Sequence, residues 1–299
     1  MCDLDACLSM AIYGSSDNSE VDFKMTKLSV YSYVRRNKKK NFGDDLSLPV
    51  CEYASGKSFV HGDRTMSDVY AVGSLLQVFH KRTRKIKSKF FRKLNGKQPL
   101  VIWGTGVIDD IQLDLPSLKV LAVRGPHTAY ALGLKTEVAF GDPGLLISDI
   151  LPAPAKLQKI GIVPHYVDKE HPVVAAAAKD ERFVIIDVED DWQNTVRHIS
   201  QCDLILSSSL HGLIVADSYG IPNQWLGFSN NVVGGAFKFH DYADGIGRTN
   251  MTRVEVHKIE DIDIAVSMAE SFGASLSQVQ ISSLKNDLKQ VLRAHYKNY

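Results

Sequence analysis

Short apolar runs alternate with longer amphipathic stretches along most of the chain. Leu28–Val34, Leu100–Trp103, Val120–Val123 and Glu137–Phe140 have the length and residue content of buried strands. Lys159–Val163, Phe183–Val188, Leu204–Leu206 and Asn223–Leu226 repeat the pattern further on. Between these runs, helical patterns cover Asp68–Lys93, Pro126–Leu132, Pro172–Lys179, Trp192–Gln201 and Leu210–Tyr219. Such alternation predicts an α/β protein whose parallel strands are buried on both faces by helices. From Ile262 to Tyr299 the chain reads as helical, with Leu276, Val279, Leu284, Leu288, Val291 and Leu292 in one apolar stripe.

Midway, Ile150-Leu151-Pro152-Ala153-Pro154-Ala155 breaks both periods. It predicts a linker between two Rossmann-like halves, residues 25–150 and 151–299, the second carrying the C-terminal helices. Two such halves facing each other place a ligand cleft at the carboxyl ends of their strands. Residues 1–24 fit neither pattern, and Met25 precedes the first credible strand. This leader is expected to be an extended or disordered arm. Asp3 and Asp5 stand where a signal peptide would be basic.

The 299 residues are 44% hydrophobic and 23% charged, enough apolar mass for a large core. No run of eighteen apolar residues predicts a membrane span. Cys2, Cys7, Cys51 and Cys202 are scattered, form no Cys-x-x-Cys pair, and point to a reduced, cytoplasmic setting without structural zinc. The net charge of +1 hides an asymmetry: residues 22–97 hold 18 Lys/Arg against 6 Asp/Glu. Lys81 to Lys97 alone has nine basic residues and no acid. That run is either a solvated helix face or a surface for anionic lipid or glycan, which would place the protein at the inner face of the membrane. Nucleic acid is disfavoured, because no reader motif accompanies the charge.

The segment richest in chemistry is Ser207-Ser208-Ser209-Leu210-His211-Gly212, where the strand Leu204–Leu206 turns into a helix. Backbone N–H groups are unpaired at such a turn and the helix dipole favours an anion. His211 there can move protons near neutral pH. Asn41-Phe42-Gly43-Asp44-Asp45 follows the first strand; Asn41 and Asp44 either cap a helix or present a carboxylate to a sugar hydroxyl. Gly104-Thr105-Gly106 follows another strand end, where Gly104 and Gly106 admit close backbone approach. The third glycine of a dinucleotide fingerprint is replaced by Asp109. Arg124, before Gly125-Pro126, has the planar fork that suits a carboxylate or phosphate, or else pairs with an acid. Asp142 in Gly141-Asp142-Pro143 is a cap or a ligand contact. His165 ends the first strand of the second half. Lys238 lies in a glycine-flanked segment read as an irregular loop, either a flap carrying a cation to an anion or plain surface.

In order, Asn-Phe-Gly-Asp, G-x-G, Arg-Gly-Pro, Gly-Asp-Pro, Pro-His-Tyr and Ser-Leu-His-Gly-Leu-Ile-Val-Ala-Asp with Gly-Ile-Pro resemble the polysaccharide pyruvyl transferase family, specifically its short bacterial exopolysaccharide ketal-pyruvyl transferases. The resemblance spans roughly Leu28 to Tyr242 and implies a GT-B-like pair of Rossmann-like domains across a cleft. It further implies phosphoenolpyruvate as donor and a pair of sugar hydroxyls as acceptor, on a polysaccharide or its lipid-linked repeat unit. The family's key histidine corresponds to His211 and its key arginine to Arg124. Many members carry an arginine where this chain has Ser209.

On that resemblance, His211 is expected to be the general acid/base and Arg124 to hold the donor's carboxylate or phosphate. Ser208, Ser209 and the amides around Leu210 would cradle phosphate. Asp44 or Asp45 would orient acceptor hydroxyls, with Asn41, Gly104, Gly106, Asp142, His165 and Lys238 lining the site. Neither metal nor cofactor is expected. The alternatives are a GT-B glycosyltransferase using a nucleotide sugar and a non-catalytic glycan- or nucleotide-binding protein.

Overall fold

The computed structural model describes residues 27–33, 40–79, 92–93, 96–113 and 118–297. The expected leader, 1–24, and most of the Lys81–Lys97 run lie outside them. Two parallel sheets organise the chain. The first contains β1 (Leu28–Tyr31), β2 (Phe59–His61), β3 (Val69–Tyr70), β4 (Leu100–Trp103), β5 (Leu118–Val123) and β6 (Ala139–Phe140), in the order β2-β1-β3-β4-β5-β6. The second contains β7 (Ile160–Val163), β8 (Phe183–Ile185), β9 (Leu204–Ser207), β10 (Asn223–Gly227) and β11 (Arg253–Glu255), in the order β11-β10-β9-β7-β8. All pairings are parallel, so each crossover must carry a covering element.

Those covers include α1 (Phe42–Asp45), α2 (Ser47–Ser55), α3 (Pro126–Ala131), α4 (Ile147–Ile150), α5 (Pro172–Ala177), α6 (Trp192–Gln201), α7 (Leu210–Ser218), α8 (Phe237–Ile246), α9 (Glu260–Phe272) and α10 (Gln278–Tyr296). The α/β class and the two parallel sheets agree with the sequence. The helix expected over Asp68–Lys93 does not: Val69–Tyr70 is a strand pairing with β1 and β4. The run Val69-Tyr70-Ala71-Val72 is wholly buried, and a central strand reads like one turn of a buried helix. Gly73, at φ 98°, ends it in a conformation that side chains resist. The loop expected around Lys238 is instead α8, because Phe239, Tyr242, Ala243 and Ile246 bury one helical face.

The expected C-terminal helical stretch divides into two helices. Gly273 stops α9 at φ 62°, and Ser277 with Gln280 forms a capping box that starts α10. Val279, read as part of the stripe, is 80% exposed. The buried face of α10 is Ile281, Lys285, Leu288, Leu292 and Tyr296, with Lys285 paired to Asp149. Although α10 follows the second sheet in sequence, it packs on α2, β5 and β6 of the first half. Trp103 Nε1 at the end of β4 donates to Leu288 O at 3.0 Å, satisfying an indole that is wholly buried. One hydrophobic cluster runs from Val30, Phe42 and Trp103 through Val163, Val196 and Ile205 to Leu288 and Leu292. The two sheets therefore share core.

Candidate active site

A cavity of about 420 Å³ opens between the two halves. Its lining residues follow strand ends: Asn41 and Asp44 after β1, Gly73 and Ser74 after β3, Asp109 after β4, Arg124 after β5 and Asp142 after β6. The second half contributes His165 and Tyr166 after β7, Ser209, Leu210 and His211 after β9, and Lys238 beyond β10. This is the crevice outside the carboxyl ends of parallel strands, where loops rather than ladders set the chemistry. Among the expected residues, Asn41, Asp44, Arg124, Asp142, His165, Ser209, Leu210, His211 and Lys238 come together here.

His211 occupies the first turn of α7. Its ring stands edge-on to Phe42, with centroids 6.3 Å apart and planes at 80°. Gly43 lies so close that a Cβ there would overlap His211 Nδ1. The Asn-Phe-Gly-Asp segment thus shapes the seat of a histidine 168 positions further on. His211 Nε2 is buried with no hydrogen-bond partner among the described residues. Burial, with the positive Lys238 and Arg124 nearby, lowers its pKa to about 3, so the imidazole is neutral at physiological pH.

Arg124 is wholly buried and its fork is already held. Nε donates to Asp241 Oδ2 at 2.9 Å, Nη1 to Ser74 Oγ at 2.7 Å and Nη2 to Val107 O at 2.5 Å. Asp241 also accepts from Thr128 N at 2.9 Å and Thr128 Oγ1 at 2.6 Å. The guanidinium reaches the cavity, but with its charge compensated by Asp241. Lys238 supplies a second cation: Nζ donates to Val233 O at 3.0 Å, and burial followed by Arg124 lowers its pKa to about 8.

Asp44 is buried and held by Asn41, whose Nδ2 donates to its Oδ2 at 2.7 Å. Asp142 is fully buried; its Oδ1 accepts from Gly144 N at 2.8 Å, while its Oδ2 has no partner among the described residues. Burial raises its pKa to about 7, against the lowering effects of the Gly144 amide, Arg124 and the Gly73 amide.

Four expected residues fall elsewhere. Asp45 does not line the cavity; it is partly buried, near His61 and Lys40. Gly104 packs against Pro143, and a Cβ on Gly106 would overlap the Arg124 guanidinium, so both serve close packing behind the site. Ser208 turns away into an adjoining cavity of about 190 Å³, donating to Asp168 Oδ2 at 2.8 Å and accepting from His165 N at 2.8 Å. The amide cradle expected at α7 is also largely taken up: Ser208 N donates to Val163 O, Ser209 N to Ser207 Oγ, and Gly212 N to Ser209 O.

Sequence reasoning missed the Gly73-Ser74-Leu75 turn, because β3 was read as helix. It also left the partner of Arg124 unnamed; the signal was Asp241 in the Phe239, Tyr242, Ala243 helical pattern. Of the basic run, Arg92 is buried and donates to Ser67 O and Gln98 O, and Lys97 pairs with Asp68 at 2.9 Å. Both have internal partners rather than a free outer face. Among the described residues, no three His, Cys, Asp or Glu side chains converge as a metal site requires, and no helix is long and apolar enough to cross a membrane.

The sequence profile of the polysaccharide pyruvyl transferase family matches residues 11–230. The chain belongs to this family. The succinoglycan biosynthesis protein ExoV of Rhizobium meliloti (strain 1021) is 28% identical over 226 residues, 74% of this chain and 66% of that protein. The match thus spans just under two thirds of that relative. An uncharacterized protein of Acanthamoeba polyphaga mimivirus is 27% identical over 222 residues, 67% of this chain and 77% of that protein. Among solved structures, a functionally uncharacterized protein from Klebsiella pneumoniae aligns with TM-score 0.42 at 13% identity, covering 77% of this chain and 93% of that one. A family 9 glycosyl transferase from Veillonella parvula aligns with TM-score 0.30 at 12% identity, covering 89% and 97%. Of the segments from Asn41 to His211, Asn41, Asp44, Arg124, Asp142, His165 and His211 line the cavity between the sheets, while Gly104 and Gly106 pack behind it.

Proposed function

We propose that this polysaccharide pyruvyl transferase family member moves the pyruvyl group of phosphoenolpyruvate onto a pair of sugar hydroxyls, forming a cyclic ketal and releasing phosphate. The observation that carries the reading is a neutral histidine with an unpartnered Nε2 in a cavity that also holds Lys238, Arg124 and the fixed carboxylate of Asp44. Phosphoenolpyruvate is an anion that needs cations to bind and proton transfers to react; the cavity has groups of both kinds.

In this mechanism Lys238 attracts the donor's carboxylate or phosphate, with the guanidinium edge of Arg124 beside it. Protonation of C3 makes C2 electrophilic. His211 Nε2 is neutral and open to accept the proton of the attacking sugar hydroxyl, and the negative charge of the bound donor raises its basicity above its value without the donor. The C2–O bond to phosphate then breaks, and the second hydroxyl closes the ketal. Asp44, held by Asn41, orients the hydroxyls. The acceptor in this reading is a sugar of a polysaccharide or of its lipid-linked repeat unit, met from the cytoplasm at the inner face of the membrane.

The test is phosphate release from phosphoenolpyruvate across a panel of acceptor sugars, beside thermal-shift titrations with phosphoenolpyruvate and with UDP and GDP sugars. Phosphate release with stabilisation by phosphoenolpyruvate is expected. Stabilisation by nucleotide sugars alone would replace this reading with glycosyl transfer.

A further inference from the structure

We infer that Asp142 is the acid of the site: its carboxyl delivers the proton to C3 of the donor, while His211 takes the proton of the first acceptor hydroxyl. This rests on the pyruvyl-transfer reading above and divides its acid and base steps between two residues.

The geometry singles Asp142 out from the other carboxylates of the cavity. Asp44 is held by Asn41, and Asp109 is largely exposed. Asp142 is wholly buried, lines the cavity, and has one oxygen fixed by the Gly144 amide. Its other oxygen meets no donor in hydrogen-bond geometry among the described residues, although the Gly73 amide lies close enough to favour the ionised form. An ionised carboxylate with an unpaired buried oxygen is costly; a carboxyl carrying its proton there costs less. Gly73 and Gly144 border it with backbone, and Arg124 is the cation nearest in effect. That cation is itself neutralised by Asp241, which weakens its pull on Asp142. The other charged or titratable groups around the cavity are Tyr33, Asp44, Asp109, His165, Tyr166, His211 and Lys238, and the buried Tyr242 feels the charge of Asp142.

The two buried groups are displaced in opposite senses. Burial lifts Asp142 to about 7 and drops His211 to about 3. Near neutral pH one site therefore holds a carboxyl that is protonated in a large fraction of molecules and an imidazole that is not, the pattern that separates an acid from a base. A bound anionic donor would raise Asp142 further.

The protons balance. Asp142 Oδ2–H gives its proton to C3, and the C2=C3 electron pair becomes the new C–H bond. The first sugar hydroxyl bonds to C2 as its proton passes to His211 Nε2. The C2–O bond to phosphate breaks, and phosphate leaves with the proton from His211. The second hydroxyl bonds to C2, and its proton returns to Asp142. One proton ends on the methyl group, one on phosphate, and both residues regain their starting states.

Two measurements decide this. The first is the pH titration of the Asp142 side-chain carboxyl carbon, followed by NMR in the intact, isotope-labelled protein and assigned through its own backbone amide. A midpoint near 7 is expected; a midpoint below 5 overturns the inference, and this readout needs no substrate. The second is Asp142→Asn, which keeps the oxygen that accepts from Gly144. It should hold donor affinity within about threefold, measured by calorimetry with phosphoenolpyruvate, and lower kcat by roughly 10²–10⁴. Near-normal kcat overturns the inference. If the variant fails to fold, the wild-type titration still decides. If the wild type releases no phosphate with any acceptor, pyruvyl transfer fails instead, while the titration reports separately on whether Asp142 holds a proton.

Discussion

The Arg124 guanidinium and the Asp241 carboxylate, 117 residues apart in sequence, form an ion pair at 2.9 Å with neither side chain exposed. It ties the end of β5 in the first half to α8 in the second, directly behind the cavity. Gly125 and Gly245 allow the approach, since a Cβ on either would overlap the opposite backbone. Asp241→Ala should cost about 3–5 kcal/mol, because Arg124 would be left as an uncompensated buried charge. Urea unfolding at neutral pH measures this. A loss under 1 kcal/mol would mean that the pair is solvated in solution.

Because Arg124 is compensated, Lys238 should carry more of the donor's binding energy. Lys238→Met should weaken phosphoenolpyruvate binding by about 1.5–3 kcal/mol, the range of a charge-assisted hydrogen bond. Its lowered pKa of about 8 gives a sign: the ammonium is lost as pH rises through that value. Donor affinity in the natural protein should therefore fall between pH 7 and pH 9, and the variant should lack that decline. Calorimetry at both pH values tests the pair of statements.

His211→Gln should lower kcat by roughly 10²–10⁴ with little change in donor affinity. Gly43→Ala should have a similar effect without touching the imidazole's chemistry, because its Cβ takes the space of the ring. Steady-state phosphate release shows both. An active Gly43→Ala enzyme would mean that the ring is free to leave its seat.

His211 also predicts a pH effect on stability. Its folded pKa, about 3, lies below the unfolded value near 6.5. The unfolded chain therefore binds a proton that the fold rejects, and stability falls as pH drops from 6.5 toward 3. Above 6.5 the effect vanishes. His211→Gln should flatten the acid side of the Tm profile between pH 4 and 6.5. An unchanged acid slope would count against the buried, neutral state.

Leu288, fully buried on α10, packs in the shared core while its carbonyl accepts from Trp103. Leu288→Ala should cost about 2–5 kcal/mol. Denaturant midpoints, with an unchanged slope, would measure it.

The Ser207–Gly212 turn, the Asn41–Asp44 segment and His165 were legible as site residues because each is a local signature: a strand end, then a helix start or loop. Strand ends in a parallel sheet share one edge, so local reading alone places such residues on one side. Val69–Tyr70 and α8 were misread for an equally local reason. Four buried apolar residues before Gly73 suit a helix as well as a strand, and the face of α8 needed Phe239 through Ile246 to be read as one pattern.

The alternation of strand and helix, and the chemistry lying at the strand ends, follow from the sequence by itself, since both rest on neighbours within a few residues. Tertiary structure decided which charges are available. Arg124 loses much of its pull to Asp241, Ser208 turns to Asp168, and α10 returns to close the first half. It also set the protonation of Asp142 and His211, because each depends on how much water and charge surround a buried atom, and residues far apart in the chain supply those surroundings.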